Sequence, residues 1–303
     1  MKDLLIVSHI SLDYITTPTS HQMRVLGGPP YYTGFAARSF DLEVAIASKI
    51  GKDFPEEFMQ EFKRAGLDVK YVKKTLLAGT TSYWIIYPEK GERSLIVTGT
   101  CLPIKPEELP EEQFKCIHVS PICSELPKAT MDAITSRRES LLILDPQGFT
   151  RSFSYDGIAY SMAWGDIVEE LSKFHVVKAS EAEWLTLFGC SSVREALEAS
   201  WRKGVSLSIA TRGAKGVYAM VEGSLYDIPA FPVDVRHTTG AGDVFVGCLV
   251  PSLIKGEDLL WAISLACAGT SLFLEGIPLL QIGQMKNSIE ERAREIHSSI
   301  KRL

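Results

Sequence analysis

No apolar run in this 303-residue chain reaches the roughly 20 residues that a membrane-spanning helix requires. The opening stretch, Met1-Lys2-Asp3-Leu4-Leu5-Ile6-Val7, enters a short apolar run directly. It lacks the long apolar core and small-residue cleavage site of a signal peptide. Cysteine is scarce: the six residues at 101, 116, 123, 190, 248 and 267 form no Cys-x-x-Cys pair, and several lie in apolar segments. They read as reduced core residues of a cytoplasmic protein, which excludes a disulfide scaffold and a zinc module. Six scattered histidines offer no metal-ligand spacing. A net charge of -5 gives no electrostatic reason to bind nucleic acid. No repeat, low-complexity tract or linker interrupts the chain, and the absence of a Walker A sequence excludes a P-loop kinase.

What is there is ample core material, 46% hydrophobic residues. Apolar strand-like runs occur at 4–10, 44–48, 116–119, 141–144, 174–177 and 207–211. Helical patterns lie between many of them, at 31–40, 55–65, 128–138, 181–188 and 193–203. Strands apolar at every position, separated by helices, predict an α/β fold: a doubly wound, mostly parallel sheet with helices on both faces. Three consecutive helices are expected over 241–253, 258–273 and 282–300. Two segments alternate polar and apolar residues instead, at about 13–26 and 78–98. They read as half-exposed antiparallel strands, inserted as a small β-sheet lid over the strand carboxyl ends, where such sheets bind ligands.

The run His237-Thr238-Thr239-Gly240-Ala241-Gly242-Asp243-Val244-Phe245 holds the strongest chemical signal. Gly240, Ala241 and Gly242 stand just before a helical pattern, where first-turn N–H groups and the helix dipole attract an anion. Asp243 cannot bind that anion, but it can take a proton from a hydroxyl beside it. The pair suits phosphoryl transfer to an alcohol. The plainer alternative is a helix entry with an acid in its first turn.

This run resembles the C-terminal signature of the ribokinase-like (PfkB) carbohydrate and nucleoside kinases, Asp-Thr-x-Gly-Ala-Gly-Asp-x-Phe, except that His237 replaces the leading Asp. Gly27-Gly28, with the later Ala47-Ser48-Lys49-Ile50-Gly51-Lys52-Asp53-Phe54, resembles the N-terminal signature, so that nearly the whole chain reads as one kinase domain, residues 1–303. The resemblance implies an ATP-dependent, Mg²⁺-requiring kinase with Asp243 as general base. It implies an acceptor held by Asp13, Gly27 and Gly28, with Gly-Gly backbone against the sugar; Asp13 otherwise reads as a turn residue. Gln147 and Arg151, in Asp145-Pro146-Gln147-Gly148-Phe149-Thr150-Arg151, are candidates for acceptor or phosphate contacts, or members of a solvated turn. Ser180 and Glu183 align with an Asn-x-x-Glu motif, placing Glu183 on the Mg²⁺ water shell; equally they fit a helix start with a Ser N-cap. Thr211, Gly213 and Gly216 resemble a Thr-x-Gly-x-x-Gly turn on the nucleotide side.

Two departures carry consequences. His237 stands where many members hold a monovalent cation with Asp, and imidazole is a poor K⁺ ligand. Tyr32, in Gly27-Gly28-Pro29-Pro30-Tyr31-Tyr32, stands where an Asn reads ribose hydroxyls, so simple ribokinase activity is not expected. Together with Ser8-His9, Asp13 and the Gln147-Gly148-Phe149 run, this looks most like archaeal myo-inositol kinases of the family. Nucleosides and other sugars remain alternative acceptors, and a non-catalytic sugar or nucleotide sensor on the same fold is the alternative of another class. No nucleic-acid or membrane partner is expected; exposed lid strands allow a homodimer through edge pairing.

Overall fold

The computed structural model describes residues 1–89, 93–163 and 166–303; positions 90–92 of the expected lid lie outside the described residues. In chain order the strands are β1 (Lys2–Val7), β2 (Ser11–Thr17), β3 (Ser20–Gly27), β4 (Val44–Ile50), β5 (Asp68–Lys74), β6 (Ser82–Ile86), β7 (Ser94–Gly99) and β8 (Phe114–Val119). They continue as β9 (Leu141–Leu144), β10 (Arg151–Phe153), β11 (Ala159–Ser161), β12 (Val176–Ser180), β13 (Leu207–Thr211), β14 (Val217–Val221), β15 (Ser224–Ile228) and β16 (Lys301–Arg302). The helices are α1 (Pro29–Ser39), α2 (Glu56–Arg64), α3 (Lys128–Thr135), α4 (Ile167–Glu170), α5 (Glu181–Phe188), α6 (Val193–Arg202), α7 (Ala241–Lys255), α8 (Leu259–Leu274) and α9 (Lys286–Ser298).

Ten strands form the main sheet in the order β16-β15-β14-β13-β12-β9-β8-β1-β4-β5. From β13 to β5 every pairing is parallel, and β14 to β16 add an antiparallel edge. Strand β4 is buried along its whole length, which is why the sequence shows no alternation there. Two apolar clusters sandwich the sheet. One includes side chains of α1, α7, α8 and α9, the other of α3, α5 and α6. The strand order reverses between β1 and β8, so the crevice at the carboxyl ends of β1, β8, β9 and β12 is the natural binding place.

The lid is a separate four-stranded sheet, β3-β2-β6-β7. Its outer pairs are antiparallel as expected, but its central pair, β2 with β6, is parallel. The reason is connectivity: β2 follows β1 and β6 follows β5, parallel strands of the main sheet, with β3, α1, β4, α2 and β5 between β2 and β6. The antiparallel hairpin β10–β11, not anticipated, joins the edge of this sheet through a bridge between Ile96 and Ile158. The half-exposed β5 and the β14–β15 hairpin also escaped the apolar-run criterion, because their burial is partial.

Helices α1 and α7 lie side by side in the same direction. Tyr32 meets Gly240, the Thr33 hydroxyl donates to the Asp243 carbonyl at 2.9 Å, and Ala36 meets Gly247. A β-carbon at Gly247 would lie 2.7 Å from Ala36 Cβ, so this glycine sets the close helix spacing. The packing brings two glycine-rich helix starts to one place.

Candidate active site

The first of these starts belongs to α7. Gly240 caps it in the left-handed region, φ 82°, where a side chain is strained. Any β-carbon there would also fall 2.3 Å from the Tyr32 ring. The Ala241 N–H donates to Thr238 and the Val244 N–H to Gly240, while those of Gly242 and Asp243 have no partner among the described residues. They are the orphan donors of a helix N-terminus, suited to an anion.

Asp243 sits in this first turn, half-buried. Its carboxyl is pushed up to about 7, first by desolvation and then by the charge of Asp145; Glu183 adds to the rise, and Lys178 and Arg151 oppose it. A base near neutrality is well matched to taking a proton from an alcohol.

Asp13 approaches from β2 and is only 4% exposed. One carboxylate oxygen accepts from the Ser11 hydroxyl at 2.8 Å. Burial pushes its carboxyl up to about 6, against the Ser11 bond and the charge of Arg93. The register pairs Ser11 with Gly27, and a β-carbon at Gly27 would lie 2.1 Å from the other Asp13 oxygen. Gly28, φ 81°, is similarly closed off by the His9 carbonyl, 2.7 Å from a β-carbon there. These glycines are thus demanded by Asp13 and the β1–β2 connection, a reason the sequence did not reveal. The Tyr32 hydroxyl is held well above its usual range, first by burial and then by the charge of Asp13, with Asp243 contributing too. The ring therefore stands within electrostatic reach of both carboxylates.

The roof is aromatic. Tyr83 and Phe153 rings lie 6.2 Å apart, and the Tyr83 hydroxyl donates to the Ile122 carbonyl at 2.6 Å. Tyr87 of the lid and Thr239 of the α7 loop are joined hydroxyl to hydroxyl. Gln147 donates to the Ser120 hydroxyl at 3.2 Å, and Arg151, at the start of β10, lies close enough to act on Asp243. A groove of about 1020 Å³, lined in part by Tyr31, Tyr32, Phe58, Tyr87 and Thr239, opens beside these groups.

On the other side of Asp243, Ser180 and Glu183 form a reciprocal capping box at the start of α5. One Glu183 oxygen accepts from the Ser180 N–H at 2.7 Å and from its hydroxyl at 2.8 Å. Thr211 ends β13, and the turn after it has Gly213 at φ 59° facing open space. Gly216 differs: a β-carbon there would strike the Ile228 carbonyl at 2.1 Å, so packing against β15 accounts for it. Among the described residues, no group of three or more His, Cys, Asp or Glu side chains could cage a metal ion. Asp145 keeps one buried carboxylate oxygen without a partner among the described residues, and together with Glu183 it would suit the water shell of a Mg²⁺ carried by donor phosphates.

The sequence reading missed Lys178 and Asp145 as a pair. The Lys178 ammonium donates to Asp145 at 2.5 Å, and both are buried. Their signal was a lysine closing an apolar strand and an aspartate ending another. His237 packs edge-to-face on Phe273, centroids 4.5 Å apart, and burial holds its imidazole below the usual value. All six cysteines are free, and Cys101, Cys116, Cys248 and Cys267 are buried. No helix among the described residues is long and apolar enough to cross a membrane.

A parallel sheet with a small β-lid over its carboxyl ends, and a helix N-terminus bearing a carboxylate beneath that lid, define the ribokinase-like fold. The chain matches the pfkB family carbohydrate kinase profile over residues 5–275 and belongs to that family. It is 28% identical over 267 residues to the cytidine kinase of Thermococcus kodakarensis, covering 86% of this chain and 91% of that one. In structure it is similar to a pyrophosphate-dependent kinase of the ribokinase family, complexed with a pyrophosphate analog and myo-inositol. The TM-score is 0.80 at 19% identity, over 93% of this chain and 99% of the other. It is also similar to the ribokinase of Arabidopsis thaliana complexed with ribose and ATP, TM-score 0.77 at 17% identity, over 97% and 99% of the two chains.

Proposed function

We propose that this kinase transfers the γ-phosphate of ATP to a hydroxyl of a compact polyol, with myo-inositol the first candidate. The observation that carries the reading is the meeting of two glycine-rich helix starts: Asp13 lies against Gly27 before α1, and the Gly240 turn that leads to Asp243 lies against Tyr32 of α1. Asp13 accepts hydrogen bonds from acceptor hydroxyls, as a carboxylate can from two at once. Gly27 and Gly28 keep side chains out of the acceptor's way, and Gln147 and Arg151 complete its polar contacts. The Tyr32, Tyr83 and Phe153 rings offer apolar surface to a cyclitol face. Asp243 takes the hydroxyl proton; the acceptor oxygen bonds to phosphorus, and the bridging P–O bond breaks with its electron pair passing to ADP. The Gly242 and Asp243 N–H groups, reached through Gly240 and Ala241, stabilise the moving charge. Thr211, Gly213 and Gly216 border the nucleotide side, with Ser180 shaping the start of α5. Mg²⁺, when bound, neutralises donor phosphate charge, with Glu183 holding its water shell.

A nucleoside acceptor is the second reading. It is favoured by the cytidine kinase relative and by the groove beside Tyr31, Tyr32 and Phe58, which offers rings for a base. A coupled assay over myo-inositol, pentoses, hexoses and nucleosides, with ATP or pyrophosphate as donor, separates the readings. Turnover with nucleosides and none with cyclitols would overturn the first; no turnover with any acceptor would favour a sensor. The same reading takes the whole chain as one cytoplasmic kinase domain. A homodimer would pair through the β3 edge of the lid, since β7 already meets the β10–β11 hairpin.

A further inference from the structure

Lys178 is 5% exposed in the middle of the main sheet. A buried lysine is costly and needs a reason. Alternation along β12 supplies its direction. Val177 and Ala179 belong to the cluster on the α5–α6 face, while Val176, two residues before Lys178, belongs to the cluster that includes α7. Lys178 therefore points toward α7. A β-carbon at Gly242 would lie 2.8 Å from its Nζ, so the second glycine of the run leaves room for the ammonium at the turn whose N–H groups await an anion. An ammonium has three N–H donors, and Asp145 takes one. Asp145, 1% exposed, uses one oxygen for that bond; its other oxygen is buried with no partner among the described residues. The ammonium thus keeps N–H donors for an acceptor at that turn, whereas the open Asp145 oxygen calls for a donor such as water.

We propose that Lys178 is a catalytic member of the anion hole, its ammonium contacting an oxygen of the transferred phosphoryl group, with Asp145 the positioning residue that holds it there. This rests on phosphoryl transfer at this site. Lys178 gives up no proton. The acceptor proton goes to Asp243, the new P–O bond forms from the acceptor oxygen's pair, and the broken bond's pair leaves with the donor. The lysine offsets the charge on the phosphoryl oxygens in flight, which backbone N–H groups alone meet with partial charges.

The rival reading is a merely structural ion pair. Replacing both members of a buried pair removes charge without stranding one, and is often near neutral for stability. The variant Lys178→Met/Asp145→Asn is therefore expected to melt close to the parent. Its kcat should fall about 10²–10³-fold, with the acceptor KM unchanged. A kcat within threefold of the parent overturns the proposal. A crystal of the unmodified protein grown in sulfate gives a test free of folding and of the acceptor's identity. Sulfate at the start of α7 within hydrogen-bond distance of Lys178 Nζ supports the assignment. No sulfate there, or one held by backbone N–H groups alone, overturns it. A lysine–sulfate contact in a protein inactive toward every acceptor would leave the anion hole standing and sink the kinase reading instead.

Discussion

Gly27→Ala is expected to disable Asp13 without touching it in sequence. The added β-carbon would lie 2.1 Å from Asp13 Oδ2, 2.5 Å from its Cγ and 2.6 Å from the Ser11 hydroxyl, whereas ordinary contact begins near 3.4 Å. The Gly27 backbone is not in the left-handed region, so the whole penalty comes from this contact. The carboxylate oxygen must retreat by about 1.3 Å, enough to lose alignment with the Ser11 hydroxyl and with an acceptor hydroxyl. Each charge-assisted hydrogen bond lost costs about 1.5–3 kcal/mol, which is roughly 10- to 150-fold in acceptor KM. The donor KM should stay within about threefold if Asp13 holds the acceptor as proposed. Losing the Ser11 bond should lower Tm by only about 2–6 °C. The decisive assay is a double-mutant cycle in steady-state kinetics. If Gly27→Ala acts through Asp13, then Gly27→Ala/Asp13→Ala should be no worse than Asp13→Ala alone. Additive losses, or an equal rise in donor KM, would refute the reasoning.

Two further outcomes are expected. The rate constant kcat/KM should fall with slope one as pH drops below about 7, where Asp243 protonates, and steepen toward slope two below about 6, where Asp13 follows. The sign is that of raised carboxyls whose charged forms do the work: activity is full above both values and lost on acidification. A flat profile from pH 5 to 8 would contradict it. Activity at fixed ionic strength should not distinguish K⁺ from Na⁺ or choline, because His237 packs on Phe273 and offers nitrogen where a cation needs oxygen. Strong K⁺ activation would show that inference wrong.

Much of the fold was legible because burial on both faces writes itself into β9 and the first four residues of β4 as unbroken apolar runs. Strand β5, with its lysines, and the β14–β15 hairpin were not, because they lie toward the edges and bury only alternate or scattered positions. The run from Gly240 to Asp243 was legible as chemistry because helix start, glycine and carboxylate are contiguous. The Lys178–Asp145 pair was not: its members are 33 residues apart and meet only because β9 and β12 are neighbours. Nor could sequence give the cause of Gly27, which depends on the β2–β3 register. The parallel β2–β6 pairing likewise follows from chain path rather than from composition.

The central claim is that Asp243 takes the acceptor's proton beside a helix that holds the phosphate. Asp243→Asn keeps size and hydrogen-bonding shape and removes the proton acceptor. Measured as pre-steady-state phosphoryl transfer at pH 8, with donor affinity determined separately by titration, it should lower the rate about 10²–10⁴-fold and leave donor affinity nearly unchanged. Transfer within a few-fold of the parent would contradict the account.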